Sequence, residues 1–583
     1  MIYDVVQAAY GRIGASQAVS SLPVCSLRYY VMNTKKGRKL SIIVERAVRQ
    51  SHHICWGART GSFSASSVAL EPIIAGLVMD NYIMAYDLGT GGIKASLYRA
   101  DGVQMGWAFV EYSTAYPKPG WHEQRPEDWW QGVCQSTTKL LAESNVPARR
   151  IVAVGLSGQS LVAAPLDQDG HLLLDCVPIW SDARATVEAR EFFATVPYEQ
   201  WYLATGNGDP PETYSVMKLL WLRKHHPSIW ERTAKVIGSK DYVNFKLTGE
   251  IATDYSYASG CGLFSLADWK YSDALLAAAG IDKSILPPIL ESHAVVGRVT
   301  QRAAAECGLE AGTLVASGGV DNALMALGAR GVGEGRAYTS LGSSSWIAVT
   351  SREPILDVKT RPFIFAHAEK GYYTSAVSIF AAGNAYRWAR EELCKDLSGS
   401  EAYAEMDRFA ASSPTGANGV LFNPTLSGGS SQSAGAELRG SFAGITMSTT
   451  RSDLLRAVLE GVAMDLNCYC LNVLRQKTNI EETMLLCGGG AMSRLWRQIF
   501  ADVFGMNILK TNIDQDAATL GAAAVAARAA GLWHDYSPIE RLHKIEQLHV
   551  PDPENRKCYE HIADVYKAWT QGLADVGRRM AGA

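Results

Sequence analysis

The chain has 583 residues, of which 47% are hydrophobic and 19% charged, and a formal net charge of -3, the composition of a globular protein too long for a single core. A pI near 6.5 leaves no basic footprint for nucleic acid or an anionic membrane surface, and no run of eighteen apolar residues marks a membrane span. Eleven cysteines without a CxxC pair argue against zinc and against a disulfide framework, and fit reduced thiols in a cytoplasmic protein.

Residues 1–78 differ from the rest. They carry nine Lys or Arg against three Asp or Glu, so this segment is about +6 and the remaining 505 residues about -9. "NTKKGRKL" and "SHHICWGARTGSFSASS" show no sustained helical or strand period and no signal-peptide h-region. The segment is expected to be a disordered basic extension, or an upstream stretch read from a start codon earlier than Met79. A basic targeting or docking arm is the other reading.

From residue 79 the grammar is α/β. "NYIMAYDLG" and "GIKASLYRADG" read as two strands joined by a Gly-rich turn, with Asp101-Gly102 opening the next turn. In "RPEDWWQGVCQSTTKLLAES" Pro126 sits at a first-turn position with Glu127 and Asp128 behind it, followed by helical spacing of apolar residues. "RRIVAVGLSGQ" is a buried strand entering a small-residue turn. The second half repeats the pattern: 335–351, "GRAYTSLGSSSWIAVTS", is strand, Gly/Ser turn, strand, and 483–505 is strand, triple glycine, helix. Two lobes with a cleft between them follow, 79–333 and 334–583, with the boundary near "GARGVGEG".

Three stretches bear on chemistry. "DLGTGGIKAS" lacks the Lys-Ser/Thr of a Walker loop and the G-x-G-x-x-G and helix of a Rossmann turn. What remains is a hairpin turn whose N–H groups can face an anion, with Asp87 at the strand end able to hold Mg²⁺ on phosphates. Taken alone it also reads as an ordinary hairpin. "VASGGVDNALMALGA" places Asp321 and Asn322 at a helix mouth, where Asp321 is either an N-cap or a carboxylate accepting a proton from an attacking hydroxyl. At an ordinary pKa near 3.9 it is a weak base, which a loose phosphoryl-transfer transition state tolerates because the proton leaves late. Gly488, Gly489 and Gly490 in "LCGGGAMSRLW" either let a flat ring lie against the backbone or form a tight turn.

Together these pieces resemble the FGGY carbohydrate kinases of the actin-like ATPase superfamily, over about residues 80–550. Residues 440–460, "GSFAGITMSTTRSDLLRAVLE", fit the C-terminal signature through Gly440, Phe442, Gly444, Ile445, Asp453, Leu454, Ala457, Val458, Leu459 and Glu460. "TYSVMKLLWLRKH" fits the N-terminal signature through Ser215, Lys218, Leu219, Trp221, Leu222 and His225, with Thr213 a departure.

The resemblance implies two actin-like, ribonuclease H-like lobes around a cleft for ATP and sugar. It implies adenine near Gly488, Gly489 and Gly490, and phosphates held by Thr90 and Gly91 with Gly342, Ser343 and Ser344. Asp87 would support Mg²⁺ and Asp321 would act as catalytic base. Sugar contacts are implied for Gln159, Ser160, Trp180, Asp182 and Asn322. Xylulokinases commonly show Met-His after "SGQ", and Ser160-Leu161 stand there in this chain; a Leu donates no hydrogen bond, so recognition shifts to the remaining polar residues. Residues 206–260 most resemble the xylulokinase branch, which makes D-xylulose the leading substrate. Ribulose, erythritol, glycerol or gluconate remain alternatives. So does an inactive nucleotide- and sugar-binding protein of the same fold, and a homodimer is compatible with the resemblance.

Overall fold

The computed structural model describes residues 27–33, 40–50, 53–59, 81–399, 401–429, 432–435 and 437–581. The chain forms two compact units, Met1–Val78 and Met79–Ala583. In the first, β1 (Leu27–Asn33), β2 (Leu40–Gln50) and β3 (His53–Arg59) pair antiparallel in that order. The expectation of a segment without regular structure is corrected for these three stretches. The strands fall on "LRYYVMN", "LSIIVERAVRQ" and "HICWGAR", where β-branched and aromatic residues favour extended backbone despite interspersed Arg. The Lys35-Lys36 cluster lies outside the described residues.

The second unit opens with β4 (Tyr82–Leu88), β5 (Gly92–Arg99) and β6 (Gln104–Glu111), an antiparallel set. After α1 (Pro126–Ser144), which begins at the anticipated proline, β7 (Ile151–Gly158) lies parallel to β4. Then β8 (Val295–Arg298), β9 (Leu314–Ala316) and β10 (Gly319–Val320) complete the sheet, in the order β8-β9-β7-β4-β5-β6 with β10 also beside β7. Central β4 is buried along most of its length and reads as largely apolar sequence, whereas edge strand β6 alternates half-buried with exposed residues.

The other lobe repeats this plan. Its strands are β11 (Ala337–Leu341), β12 (Ser345–Ser351), β13 (Phe363–Ala366), β14 (Tyr373–Ile379), β15 (Thr483–Cys487), β16 (Asn507–Thr511) and β17 (Ile545–His549), in the order β13-β14-β12-β11-β15-β16-β17. The run β6-β5-β4-β7-β9 in one sheet thus matches β14-β12-β11-β15-β16 in the other, with the same alternation of antiparallel and parallel pairs. These are two actin-like lobes.

Several helices bear on the site: α2 (Ser215–His225), α3 (Ser239–Thr248) and α4 (Tyr255–Ser259) in the first lobe, then α5 (Asp321–Arg330), α6 (Arg451–Asp465), α7 (Arg494–Phe504) and α8 (Ala517–Ala529). Helices α5 and α8 cross between the sheets at main-chain distance. A Cβ on Gly328 would lie 1.8 Å from the Ala517 carbonyl oxygen, and one on Gly521 2.0 Å from that of Leu324. The small-residue sequence of α8, "AATLGAAAVAARA", is what permits this approach. The C-terminal signature is architectural. Thr450 and Asp453 make a capping box at the start of α6, and buried Glu460 accepts from Arg456 Nε at 2.7 Å and Gly416 N at 3.0 Å. The segment Arg451–Arg475 is long and apolar enough to cross a membrane, and 78% of its most apolar window is buried within the protein.

Candidate active site

Register builds the site. Asp87 on β4 pairs with Ser157 on β7, which pairs with Gly319 on β10, so three strands carry one row of residues. Asp321 follows two residues beyond Gly319 as the first residue of α5. Ser157 Oγ donates to Asp87 Oδ1 at 2.7 Å. Asp321 Oδ1 accepts from the Asn322 N–H at 2.8 Å and from Asn322 Nδ2 at 3.1 Å. Among the described residues, the hydrogen bonds to this carboxyl fall on Oδ1 alone.

The two carboxyls feel each other. Burial pushes Asp321 up to about 7, the negative charge of Asp87 adds to the rise, and the Asn322 N–H opposes it. The expectation of an ordinary carboxylate at this position is therefore corrected. Asp87 is also raised by burial, against the lowering influence of Ser157 and Lys94. Two carboxylates and a hydroxyl form an all-oxygen donor set, which fits a hard divalent cation such as Mg²⁺.

The turn between β4 and β5 is held from behind. Gln124 Nε2 donates to the Thr90 carbonyl at 2.7 Å and Tyr112 OH to that of Gly89 at 2.6 Å, leaving Gly91 at an open tip. Lys94, one strand turn on, pairs with Asp516 at 2.6 Å and so ties this hairpin to the start of α8. The β11–β12 turn is fixed similarly: Gly342 O accepts from Gly383 N at 2.9 Å, and Ser343 O accepts from Ala382 N at 2.9 Å and Asn384 N at 3.0 Å. Ser343 is exposed and Ser344 half-buried at that tip.

The three glycines after β15 divide by role. Gly488 has φ +93 and passes so close to Leu341 that a Cβ would meet its carbonyl oxygen at 2.8 Å; on Gly490 it would meet Leu341 Cδ2 at 2.5 Å. Only Gly489 faces open space. Both flanking glycines thus pack this turn onto β11, the strand that carries the second hairpin.

Beside the first hairpin, Gln159 is buried and its Nε2 donates to Gln124 Oε1 at 2.7 Å, while its own Oε1 has no partner among the described residues. Ser160 is buried beside it, and Leu161 holds φ +60. Trp180 is 46% exposed and donates from Nε1 to Thr90 Oγ1 at 2.8 Å, so it lies against the first hairpin. Asn322 is half-buried and donates from Nδ2 to Asp321 Oδ1 at 3.1 Å. Asp182 is a correction: it is fully buried, and its carboxylate accepts from the His122 N–H at 2.6 Å, the Arg184 N–H at 3.1 Å and the Arg184 guanidinium at 2.8 and 2.7 Å. A carboxylate so occupied braces the 178–184 loop and does not offer itself to a sugar.

Ser157 and Gln124 escaped the sequence reading. Ser157 lies in "GLSGQ", and its strand position opposite Asp87 is the signal that could find it. Gln124 in "WHEQRP" carries none.

Two lobes of one plan, each built around a hairpin whose turn is rich in Gly and small hydroxyl residues, define the actin-like class. Residues 82–328 match the N-terminal domain and residues 337–530 the C-terminal domain of the FGGY family of carbohydrate kinases. The chain belongs to this family and is a carbohydrate kinase. It is 31% identical to the xylulose kinase of Bacillus subtilis (strain 168) over 488 residues, 83% of this chain and 96% of that protein. It is 29% identical to the autoinducer-2 kinase of Salmonella typhimurium over 506 residues, 84% of this chain and 94% of the relative. Among solved structures, gluconate kinase from Lactobacillus acidophilus superposes with a TM-score of 0.79 at 26% identity, covering 86% of this chain and 99% of that one.

Proposed function

We propose that this carbohydrate kinase transfers the γ-phosphoryl group of ATP to a hydroxyl of a short ketose, with D-xylulose the leading substrate. The observation that supports this most is the pairing of Asp321 with Asp87 at the end of three registered strands, with Asp321 raised to about 7. A pure nucleotide binder has no use for the second carboxylate. Xylulose kinase relatives point to the sugar, while the autoinducer-2 and gluconate kinases named above belong to the same neighbourhood.

In this reading lobe 79–333 takes the sugar and lobe 334–583 the nucleotide. Adenine lies against Gly489, in the turn that Gly488 and Gly490 press onto β11. The N–H groups and hydroxyls of Thr90, Gly91, Gly342, Ser343 and Ser344 hold phosphate oxygens. Asp87, oriented by Ser157, supports Mg²⁺, which when bound neutralises phosphate charge. Gln159 Oε1 accepts a sugar hydroxyl, Ser160 adds a second polar group, and Trp180 forms a wall. Asn322 fixes Asp321 Oδ1, so Oδ2 takes the hydroxyl proton. The sugar oxygen forms its bond to Pγ as the bond from Pγ to the β,γ-bridging oxygen breaks, and ADP leaves. Alignment and charge neutralisation carry most of the catalysis, as phosphoryl transfer requires.

The test is ADP release by the full chain with D-xylulose, ribulose, erythritol, glycerol and gluconate. Release with D-xylulose at the highest kcat/KM supports the reading. A different preferred sugar overturns the substrate and keeps the kinase. No release with any of them favours the inactive binder.

A further inference from the structure

Lys218 belongs to the N-terminal signature but takes no part in the chemistry above. It projects from α2 into the protein, 2% exposed, and its ammonium donates to the Leu161 carbonyl at 2.9 Å and the Ile179 carbonyl at 2.6 Å. Among the described residues no carboxylate pairs with it; Asp182, the nearest negative charge, is engaged by Arg184. Burying an ammonium against neutral acceptors alone is costly, so the two carbonyls gain something that offsets it.

Both belong to segments on the sugar side of the cleft. Leu161 follows Gln159 and Ser160 directly, and its φ of +60 is a conformation that a Leu side chain disfavours. Ile179 precedes Trp180, which reaches across to Thr90. One cation thus links a strained turn to an aromatic loop, and the strain at Leu161 has an identifiable restraint.

We propose that Lys218 is a positioning residue for the sugar: by holding the Leu161 and Ile179 carbonyls together it sets the spacing between Gln159-Ser160 and Trp180. The inference rests on the sugar-side roles proposed above. It assigns to the signature lysine a larger part in sugar affinity than in nucleotide binding, because both carbonyls lie on sugar-side segments and only the hydrogen bond from Trp180 to Thr90 continues to the phosphate turn.

Steady-state kinetics with D-xylulose and ATP test it. Lys218→Met keeps the length and removes the donors. Loss of two hydrogen bonds is expected to raise the KM for sugar by about tenfold. The KM for ATP and kcat at saturating sugar should stay within about threefold of the parent, since no transition-state contact is removed. A second arm uses Leu161→Gly, which adopts φ +60 unaided. In that background the Lys218→Met penalty on sugar KM should shrink by about threefold or more. Parallel changes in both KM values, an unchanged sugar KM, or the same penalty in both backgrounds would each overturn the proposal. If Lys218→Met does not fold, Lys218→Arg replaces it: a cavity of about 260 Å³ bordered by Ala163, Pro178 and Arg184 adjoins the site and gives the larger group room. A sugar-only rise in KM then supports the clamp, and an equal rise for ATP overturns it. If the parent itself phosphorylates no sugar, the functional reading fails first, and the clamp with it.

Discussion

Replacing Asp321 by Asn should abolish turnover and make the protein more stable. The carboxyl is raised from 3.8 to about 7 by burial and by Asp87. At about 1.36 kcal/mol per unit, the ionised form is disfavoured in the folded state by up to roughly 4 kcal/mol. Asp321 is half-buried, and solvent screening reduces this to about 1–2 kcal/mol. Because the folded pKa lies above the unfolded value, the folded state holds the proton more tightly, and stability falls as pH rises from about 4 to 7. The Asn variant is blind to that loss and can keep the hydrogen bond from the Asn322 N–H. Thermal denaturation should therefore show Asp321→Asn melting higher than the parent at pH 8, by a few degrees at most for a chain this long. The gain should be smaller at pH 5. ADP release with sugar at pH 8 should fall by about a thousandfold or more, as for loss of an essential base and its orientation. A lower melting temperature at pH 8, or an equal gain at both pH values, would refute the electrostatic argument; retained turnover would refute the role.

Five further outcomes follow from the same geometry. The kcat/KM of the parent should rise with pH to a plateau above about 7, where Asp321 is ionised, and Asp87→Asn should move the midpoint down by removing the neighbouring charge. Gly489→Ala meets nothing within 4 Å and should leave the melting temperature unchanged while raising the KM for ATP. Gly488→Ala, at φ +93 and 2.8 Å from the Leu341 oxygen, should destabilise by about 2–3 kcal/mol. Gly328→Ala would set a Cβ 1.8 Å from the Ala517 carbonyl oxygen and should cost about 3 kcal/mol or more, visible as lost soluble protein or a two-stage melt.

The lobes were legible because hairpin turns rich in Gly and small hydroxyl residues punctuate long apolar strands, and the punctuation repeats in "DLGTGGIK" and "SLGSSSW". What sequence could not convey was which polar side chains were already spoken for. Asp182 follows from the resemblance as a sugar contact, whereas in space the Arg184 guanidinium, 3.9 Å over the Trp121 ring, closes on its carboxylate. Asp321 was described by its ordinary pKa because burial and the charge of Asp87 are properties of the folded pair. The three glycines looked equivalent, and only the approach of Leu341 separates two packing residues from one that is open. In the opposite sense, the strands β1 to β3 were missed because interspersed Arg and His obscured their β-branched runs.

The crossing of α5 and α8 has a consequence for how precision is kept in this enzyme. Side-chain contacts have rotamers to spare and can absorb small errors; a carbonyl seated against a glycine Cα has none. Asp321 is the first residue of α5 and Asp516, which grips Lys94, immediately precedes α8. A displacement along either helix is therefore delivered to Asp321 at one end and to the β4–β5 hairpin at the other. Alignment here is a matter of rigid levers meeting at a hard pivot, and mutations that soften the pivot should be felt as mistimed chemistry before they are felt as lost binding.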